Sequence, residues 1–175
     1  MRAGAGTRMA TQRTDGEAVS LRESFTEMSE ILMPNDTNNL GRALGGTVLH
    51  WMDICGAIAA RRFSKRQVVT ASMDHVDFLA PIELGDVVTV TGYVFDTGRT
   101  SMDVHVAVRA ERPSDGVRRE TASSFFSFVA LDETESPAAV PTLRCPSASQ
   151  TGLRDEALER RNRRRAELAD ELGGE

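Results

Sequence analysis

The sequence predicts an α+β fold in which an antiparallel β-sheet wraps around one long central helix. Three observations support this prediction. The segment from residue 45 to about residue 62 is apolar, lacks proline and is long enough for a helix. Four strand-like runs with short, turn-rich connections follow it, which indicates consecutive antiparallel strands. The sequence offers no other apolar surface, so the sheet must cover the helix.

The expected strands follow from apolar periodicity and from the turns between them. A short run at 25–33 ends at Pro34 and precedes a polar loop. After the helix, turns that contain glycine or proline separate strands expected at 68–79, 87–95, 101–110 and 117–131. A twisted sheet wrapped around a central helix is the hotdog fold. One helix leaves part of such a sheet and its edges uncovered, so we expect two chains to associate through a sheet edge.

The composition divides the chain into four parts. Residues 1–18 are polar and lack periodicity, so we expect a mobile tail, and residues 19–134 form the expected hotdog domain. Residues 135–150 are rich in proline, serine and alanine and are expected to be a linker. Residues 151–175 are rich in arginine, glutamate, alanine and leucine, which predicts a charged surface helix.

Charge and cysteine usage narrow the partners and the compartment. The net charge of −5 argues against general affinity for nucleic acid. Cys55 and Cys145 form neither a disulfide framework nor a zinc spacing, which favours a reducing compartment. The amino terminus lacks an apolar signal region, and no apolar stretch is long enough to span a bilayer. We therefore expect a cytoplasmic protein with no membrane partner.

The central helix carries one carboxylate, Asp53, among apolar residues. Because apolar residues fall on most sides of the helix, we expect it to be buried. A buried carboxylate costs several kcal/mol unless it is paired, hydrogen-bonded or protonated. Asp53 is therefore either a structural aspartate satisfied by backbone or hydroxyl groups, or a functional one.

Glycines at the start of the same helix suggest a chemical role for Asp53. Gly45 and Gly46 would let a ligand approach the unpaired backbone N–H groups of the helix amino terminus. Asp53 lies seven residues beyond Gly46, or about 10 Å along the helix axis. N–H groups that polarise a carbonyl, next to a carboxylate that activates water or attacks directly, suit acyl transfer. A thioester is the natural substrate, since its thiolate leaves without a strong acid.

The motif around this helix resembles the acyl-CoA thioesterases of the hotdog superfamily. The resemblance is to the brain-type acyl-CoA hydrolases, the brown-fat-inducible thioesterases and their short bacterial relatives, over roughly residues 25 to 165. The most specific matching residues are Asp36, Thr37, Asn38, Gly41, Gly45, Gly46, Thr47, Trp51, Met52 and Asp53. Weaker matches follow at Val76, Asp77, Phe78, Pro81, Gly85, Asp86 and at Gly98, Arg99, Thr100, Ser101.

This resemblance implies a catalytic set. Asp53 would be the general base or nucleophile, and Gly46, with Gly45, would supply the oxyanion N–H groups. Asn38 would orient the water or the thioester from across a subunit interface, with Asn39 as the alternative. Members of the family often have another asparagine or a small polar residue just before the first loop glycine, where this chain has Leu40. The resemblance also implies a homodimer with composite sites, which can assemble further into a hexamer as a trimer of dimers.

The substrate implied is a fatty acyl-CoA, and no cofactor is expected because CoA is part of the substrate. Candidate substrate contacts are Gly45 and His50, Ser101 near the pantetheine arm, and Arg99 and Arg66 at the CoA phosphates. A basic run in the carboxyl-terminal helix is either a solvated face or a further phosphate partner; it comprises Arg160, Arg161, Arg163, Arg164 and Arg165.

Three other functions are conceivable for a chain with these residues. His50 and Asp53 are one helical turn apart, but two ligands without a third do not make a metal site, so no metal is expected. A hotdog dehydratase would pair a histidine with the carboxylate, and His50 is the nearby candidate. A non-catalytic module that senses acyl-CoA would need neither residue. His75 and His105 fall in strand runs and are expected to be structural.

Overall fold

The computed structural model describes residues 17–173; residues 1–16 of the expected tail lie outside the described residues. The helices are α1 (Leu21–Ser24), α2 (Gly45–Ser64) and α3 (Ala148–Gly173). The strands are β1 (Ala18–Ser20), β2 (Thr26–Ile31), β3 (Gln67–Met73), β4 (Asp77–Phe78), β5 (Val87–Thr97), β6 (Ser101–Glu111), β7 (Arg118–Leu131) and β8 (Thr142–Arg144).

The main sheet has the order β2-β5-β6-β7-β3, and β4 also pairs with β7. Every pairing in this sheet is antiparallel. β2 and β3 are the two edge strands, and β3 is exposed along almost its whole length. The sheet curls around α2, which confirms the predicted hotdog fold.

Helix α2 lies with one face against the concave side of the sheet. Its buried residues include Val48, Met52, Cys55, Ala59 and Phe63. Gly56 allows α2 to pack closely against β7, since a Cβ at this position would lie 2.9 Å from the ring of Phe128. The helix ends where Lys65 adopts a left-handed conformation (φ 57°), and arginines in the last turn complement the helix dipole.

The expectation that α2 is buried holds for only part of the helix surface in the single chain. Asp53, Ile54, Ala57 and Ile58 lie on the side that faces away from the sheet, and they are only half-buried. The physical reason is that the sheet covers one side of the helix, and the other long helix, α3, packs on the opposite side of the sheet. Asp53 therefore reaches solvent in this chain, and its cost of burial is smaller than the sequence suggested.

Helix α3 covers the convex side of the sheet and forms a second, smaller core there. Ala157 of α3 is buried against Tyr93, Phe95 and Phe125. The Arg161 guanidinium lies 5.0 Å above the ring of Phe95. The helix is thus amphipathic: its inner side carries the apolar residues, its described glutamates are exposed, and several of its arginines are half-buried with their stems against the sheet.

Two segments differ from the sequence-based expectation. The run at 68–79 is not one strand, because a bulge between Thr70 and Ser72 is followed by a break that separates β3 from β4. The Ser124 hydroxyl donates to the carbonyl oxygens of Asp74 and His75, which holds this break, so His75 is not in a strand. The segment 135–150 also has structure of its own, since β8 pairs in parallel with β1 and α3 begins before residue 151.

No helix within residues 17–173 has an apolar stretch that would let it cross a bilayer.

Candidate active site

Asp53 lies in the middle of α2 and faces the free edge of the sheet. The Thr70 hydroxyl on β3 donates to Asp53 Oδ1 at 2.7 Å. Thr70 of β3 lies directly opposite Phe128 of β7, and Phe128 packs against α2. The Thr70 side chain is therefore on the side of the sheet that faces α2. No group in the described part of the chain donates to the second carboxylate oxygen of Asp53. One oxygen is therefore oriented by Thr70, and the other remains available to a ligand.

The amino terminus of α2 presents free backbone donors. The residue before it, Leu44, has no side chain that can cap the helix, and the first helical bond is Val48 N–H to Leu44 O at 3.2 Å. Within the described residues, the N–H groups of Gly45, Gly46 and Thr47 consequently have no acceptor. A Cβ at Gly46 would meet no atom within 4 Å, which leaves this donor open to an approaching group.

An apolar side chain stands beside these donors. The ring of Phe78 on β4 lies 3.5 Å from the position that a Cβ would take at Gly45. Phe78 is 55% exposed, and Leu44, the residue before Gly45, is also an exposed apolar residue. The helix amino terminus therefore combines polar N–H donors with an apolar wall, which suits a carbonyl group carried on an acyl chain.

Asn38 lies at the tip of the loop that precedes α2. Its side-chain oxygen accepts hydrogen bonds from Leu40 N–H at 2.9 Å and Arg42 N–H at 3.2 Å. The side-chain NH₂ group has no acceptor within the described residues and is exposed. Gly41, with φ at 70°, provides the left-handed residue that the turn needs. The loop thus fixes the Asn38 oxygen and points the amide donors outward.

The buried carboxylate of Asp86 stabilises the hairpin that contacts this loop. Leu84 N–H donates to Gly41 O at 2.9 Å, which attaches the Asn38 loop to the hairpin after β4. Asp86, only 2% exposed, accepts from Glu83 N–H at 2.9 Å and pairs with Arg119 of β7. The Asp86 pair therefore fixes the hairpin on which the Asn38 loop rests.

The single chain does not join Asn38 to Asp53. In residues 17–173, no hydrogen bond connects their side chains, and the contacts of Asn38 all lie in its own loop. His50 lies one helical turn before Asp53 and is exposed. Asp53, Gly45, Gly46 and His50 thus share one helix, while Asn38 belongs to a separate surface.

Three of the candidate CoA contacts lie far from the helix amino terminus in the same chain. Ser101, two residues after Arg99, pairs with Val129 of β7, whereas Phe78 of β4, beside Gly45, pairs with Ala122 of the same strand. These two pairings are seven residues apart along β7, which corresponds to about 23 Å. Arg66 follows the far end of α2, about 27 Å from Gly46 along the axis, beside a cleft of about 350 Å³.

Thr70 was not among the site residues expected from sequence. It is an ordinary threonine in a strand-like run, and threonine is common in strands. Its role depends on the register of β3 beside α2, which is a tertiary property. The only local signal is that the residue falls shortly after the helix that carries Asp53.

Comparison with known proteins identifies the family. The thioesterase superfamily model matches residues 40–117. An uncharacterised acyl-CoA thioester hydrolase of Bacillus subtilis (strain 168) is 38% identical over 144 residues, which are 82% of this chain and 84% of that protein. The chain belongs to the thioesterase superfamily. It is a thioester hydrolase with the hotdog fold, as the sequence motif predicted.

Solved structures of other superfamily members resemble this thioesterase along most of its length. A hexameric acyl-CoA thioesterase is 35% identical with a TM-score of 0.78 and covers 87% of this chain and 98% of its own. The Staphylococcus aureus acyl-CoA hydrolase, in complex with butyryl coenzyme A and coenzyme A, is 33% identical with a TM-score of 0.77. The match covers 90% of this chain and 96% of that enzyme.

The S. aureus enzyme has also been solved as three alanine variants, of one asparagine, one aspartate and one threonine. These matches are 32–33% identical, with TM-scores between 0.74 and 0.78. The three positions have the same order and the same separations in sequence as Asn38, Asp53 and Thr70 in this chain.

Proposed function

We propose that this thioesterase hydrolyses acyl-CoA to the free acid and CoA, without a cofactor, at the amino-terminal half of α2. The observation that carries the proposal is the oriented Asp53 carboxylate, held by Thr70, on the same helix as the open N–H groups of Gly45 and Gly46. The names of the relatives support acyl-CoA as the substrate.

In the proposed reaction, the thioester carbonyl oxygen accepts hydrogen bonds from Gly46 N–H, with Gly45 N–H beside it. Negative charge that develops on this oxygen is stabilised by donors that are already in place. Asp53 takes a proton from water, and the hydroxide adds to the carbonyl carbon. The carbon–sulfur bond then breaks, and the CoA thiolate leaves with the proton that Asp53 holds.

The alternative chemistry uses Asp53 as a nucleophile. Its free oxygen would attack the carbonyl carbon, expel the CoA thiolate and form a mixed anhydride, which water would then hydrolyse. Both routes need one carboxylate oxygen free and the other oriented, as the hydrogen bond from Thr70 provides.

We further propose that Asn38 acts on the Asp53 of a second chain. The half-buried side of α2 and the exposed edge strand β3 lie together around Asp53, so a second chain at this edge would cover both. A two-fold pair would create two equivalent composite sites, each with Asp53 from one chain and Asn38 from the other. The hexameric relative supports assembly beyond the single chain.

The test is release of free CoA thiol from a panel of acyl-CoA substrates by the full chain and its variants. Asp53→Asn should reduce kcat by several orders of magnitude, because an amide cannot accept the proton or attack. The matched control is Asp155→Asn, which removes an exposed carboxylate of α3 and should leave kcat unchanged. Full turnover by Asp53→Asn would disprove the role of Asp53. Tight binding without turnover by the wild type would favour an acyl-CoA sensor.

A further inference from the structure

A small cavity lies on the convex side of the sheet, under helix α3 and away from Asp53. Its volume is about 220 Å³, below the roughly 300–1,000 Å³ of pockets that hold drug-sized ligands. Its walls are formed by β4, β6, β7 and the second half of α3. Asp77 of β4 lines it, while the next residue, Phe78, faces the other side of the sheet beside Gly45. The cavity is therefore distinct from the catalytic region.

A buried imidazole without a hydrogen-bond partner lines this cavity. His105 of β6 is 7% exposed and is held between the rings of Tyr93 and Phe125, with centroid distances of 5.5 and 5.1 Å. Within the described residues, neither ring nitrogen of His105 makes a hydrogen bond; Nε2 is fully buried, whereas Nδ1 is not among the fully buried unpaired atoms. Buried polar atoms in folded proteins nearly always have a partner. Burial lowers the pKa of His105 to about 4, so the ring is neutral at neutral pH and offers one N–H donor.

A hydroxyl group lies beside the imidazole. Ser123 of β7 is buried, lines the same cavity, and its hydroxyl has no hydrogen-bond partner in the described part of the chain. His105 and Ser123 come from neighbouring strands and occupy the same face of the sheet. Two unpartnered polar groups thus meet in one cavity.

The cationic side of the cavity comes from α3. Arg160, Arg163 and Arg164 line it, against the carboxylates of Asp77 and Glu167. Arg164 pairs with Asp77, and Arg160 contacts Glu120 at 3.4 Å. Arg163 has no carboxylate within ion-pair distance among the described residues, so its charge is available to a ligand.

We propose that this cavity binds the terminal phosphate group of a phosphate-bearing ligand, through His105, Ser123 and Arg163. His105, Ser123 and Arg163 line one cavity from three elements, and their imidazole N–H, hydroxyl and guanidinium can each donate to one oxygen of a terminal phosphate. The surplus positive charge and the small volume favour the same group. The bound group is either a phosphate of a CoA molecule whose thioester lies in the catalytic site, or a phosphate from another source, namely free phosphate or a different nucleotide.

The experiment is calorimetric titration of the full chain with inorganic phosphate at constant ionic strength. The wild type should bind one phosphate per chain. His105→Phe, which keeps an aromatic ring between Tyr93 and Phe125, and Arg163→Gln should each weaken binding by at least about tenfold, since each loses one direct contact. The matched control is Arg165→Gln, an exposed arginine of α3 that does not line the cavity, and its affinity should equal that of the wild type.

A second titration in saturating CoA distinguishes the two sources of phosphate. If CoA abolishes phosphate binding and Arg163→Gln weakens CoA, the cavity receives a phosphate of CoA. If phosphate and CoA bind together, the cavity takes a separate ligand. The proposal is overturned if the wild type shows no saturable phosphate binding at tens of millimolar, or if Arg165→Gln weakens binding as much as Arg163→Gln. Because binding is measured without turnover, the result is independent of the proposed reaction.

Discussion

Removal of the hydroxyl that holds Asp53 should slow the reaction without unfolding the protein. Thr70→Val deletes the 2.7 Å hydrogen bond to Asp53 Oδ1 and keeps the β-branched shape that strands favour. A hydrogen bond to a charged group contributes about 1.5–3 kcal/mol, which corresponds to about 10- to 150-fold in rate if the bond matters only in the transition state. We therefore expect kcat to fall by that factor.

The assay is steady-state thiol release, with kcat and KM determined separately. KM for acyl-CoA should change little, because Thr70 contacts the carboxylate and is not expected to contact the nucleotide. Thr70→Ser should retain most of the activity, since it restores the donor. The matched control is Thr89→Val on β5, which removes an exposed hydroxyl pair with Ser29 at 3.2 Å and should leave kcat unchanged. An unchanged kcat in a folded Thr70→Val enzyme would refute the positioning role.

The remaining predictions concern packing, pH and the Asn38 loop. Gly56→Ala should destabilise the fold by about 1–3 kcal/mol, seen as a lower Tm, because the added Cβ meets Phe128 at 2.9 Å. Burial lowers the pKa of His105 to about 4, so the unfolded chain binds a proton at this residue more readily than the folded chain does. The free energy of unfolding, measured in urea, should therefore fall by up to about 3 kcal/mol as the pH drops from 6.5 to 4. His105→Phe should lose this pH dependence. Asp86→Asn should cost about 3 kcal/mol of stability in the same measurement, because it leaves the Arg119 charge without its buried partner. Unaltered unfolding curves would contradict each of the three.

The sequence predicts the sheet and its central helix well because both depend on local patterns. The apolar run after Gly45 has helical length, and the alternation in β5 and β6 is visible residue by residue. The break between β3 and β4 could not be predicted, because the hydroxyl of Ser124 that holds it comes from a strand some fifty residues away. Long-range contacts of this kind leave no periodic signal.

The candidate site likewise has parts that local sequence patterns predict and parts that depend on tertiary contacts. The motif places Asp53, Gly45 and Gly46 on one helix, and the structure has them there. The role of Thr70 cannot be predicted from the sequence, because its contact with Asp53 depends on the register of an edge strand. The half-burial of Asp53 depends on which side of the helix the sheet covers. Whether Asn38 reaches an Asp53 depends on a second chain, so it stays a prediction.

Subunit mixing tests the central claim most directly, namely that each site combines Asp53 of one chain with Asn38 of another. Asn38→Ala and Asp53→Asn chains, each inactive alone, are co-expressed, and the mixed protein is assayed for thiol release. In a two-fold pair of unlike chains, one site has both mutations and the other has neither. Random pairing therefore predicts about a quarter of the wild-type activity. No activity above that of the separate variants would contradict the composite site, since every site would then draw both residues from one chain.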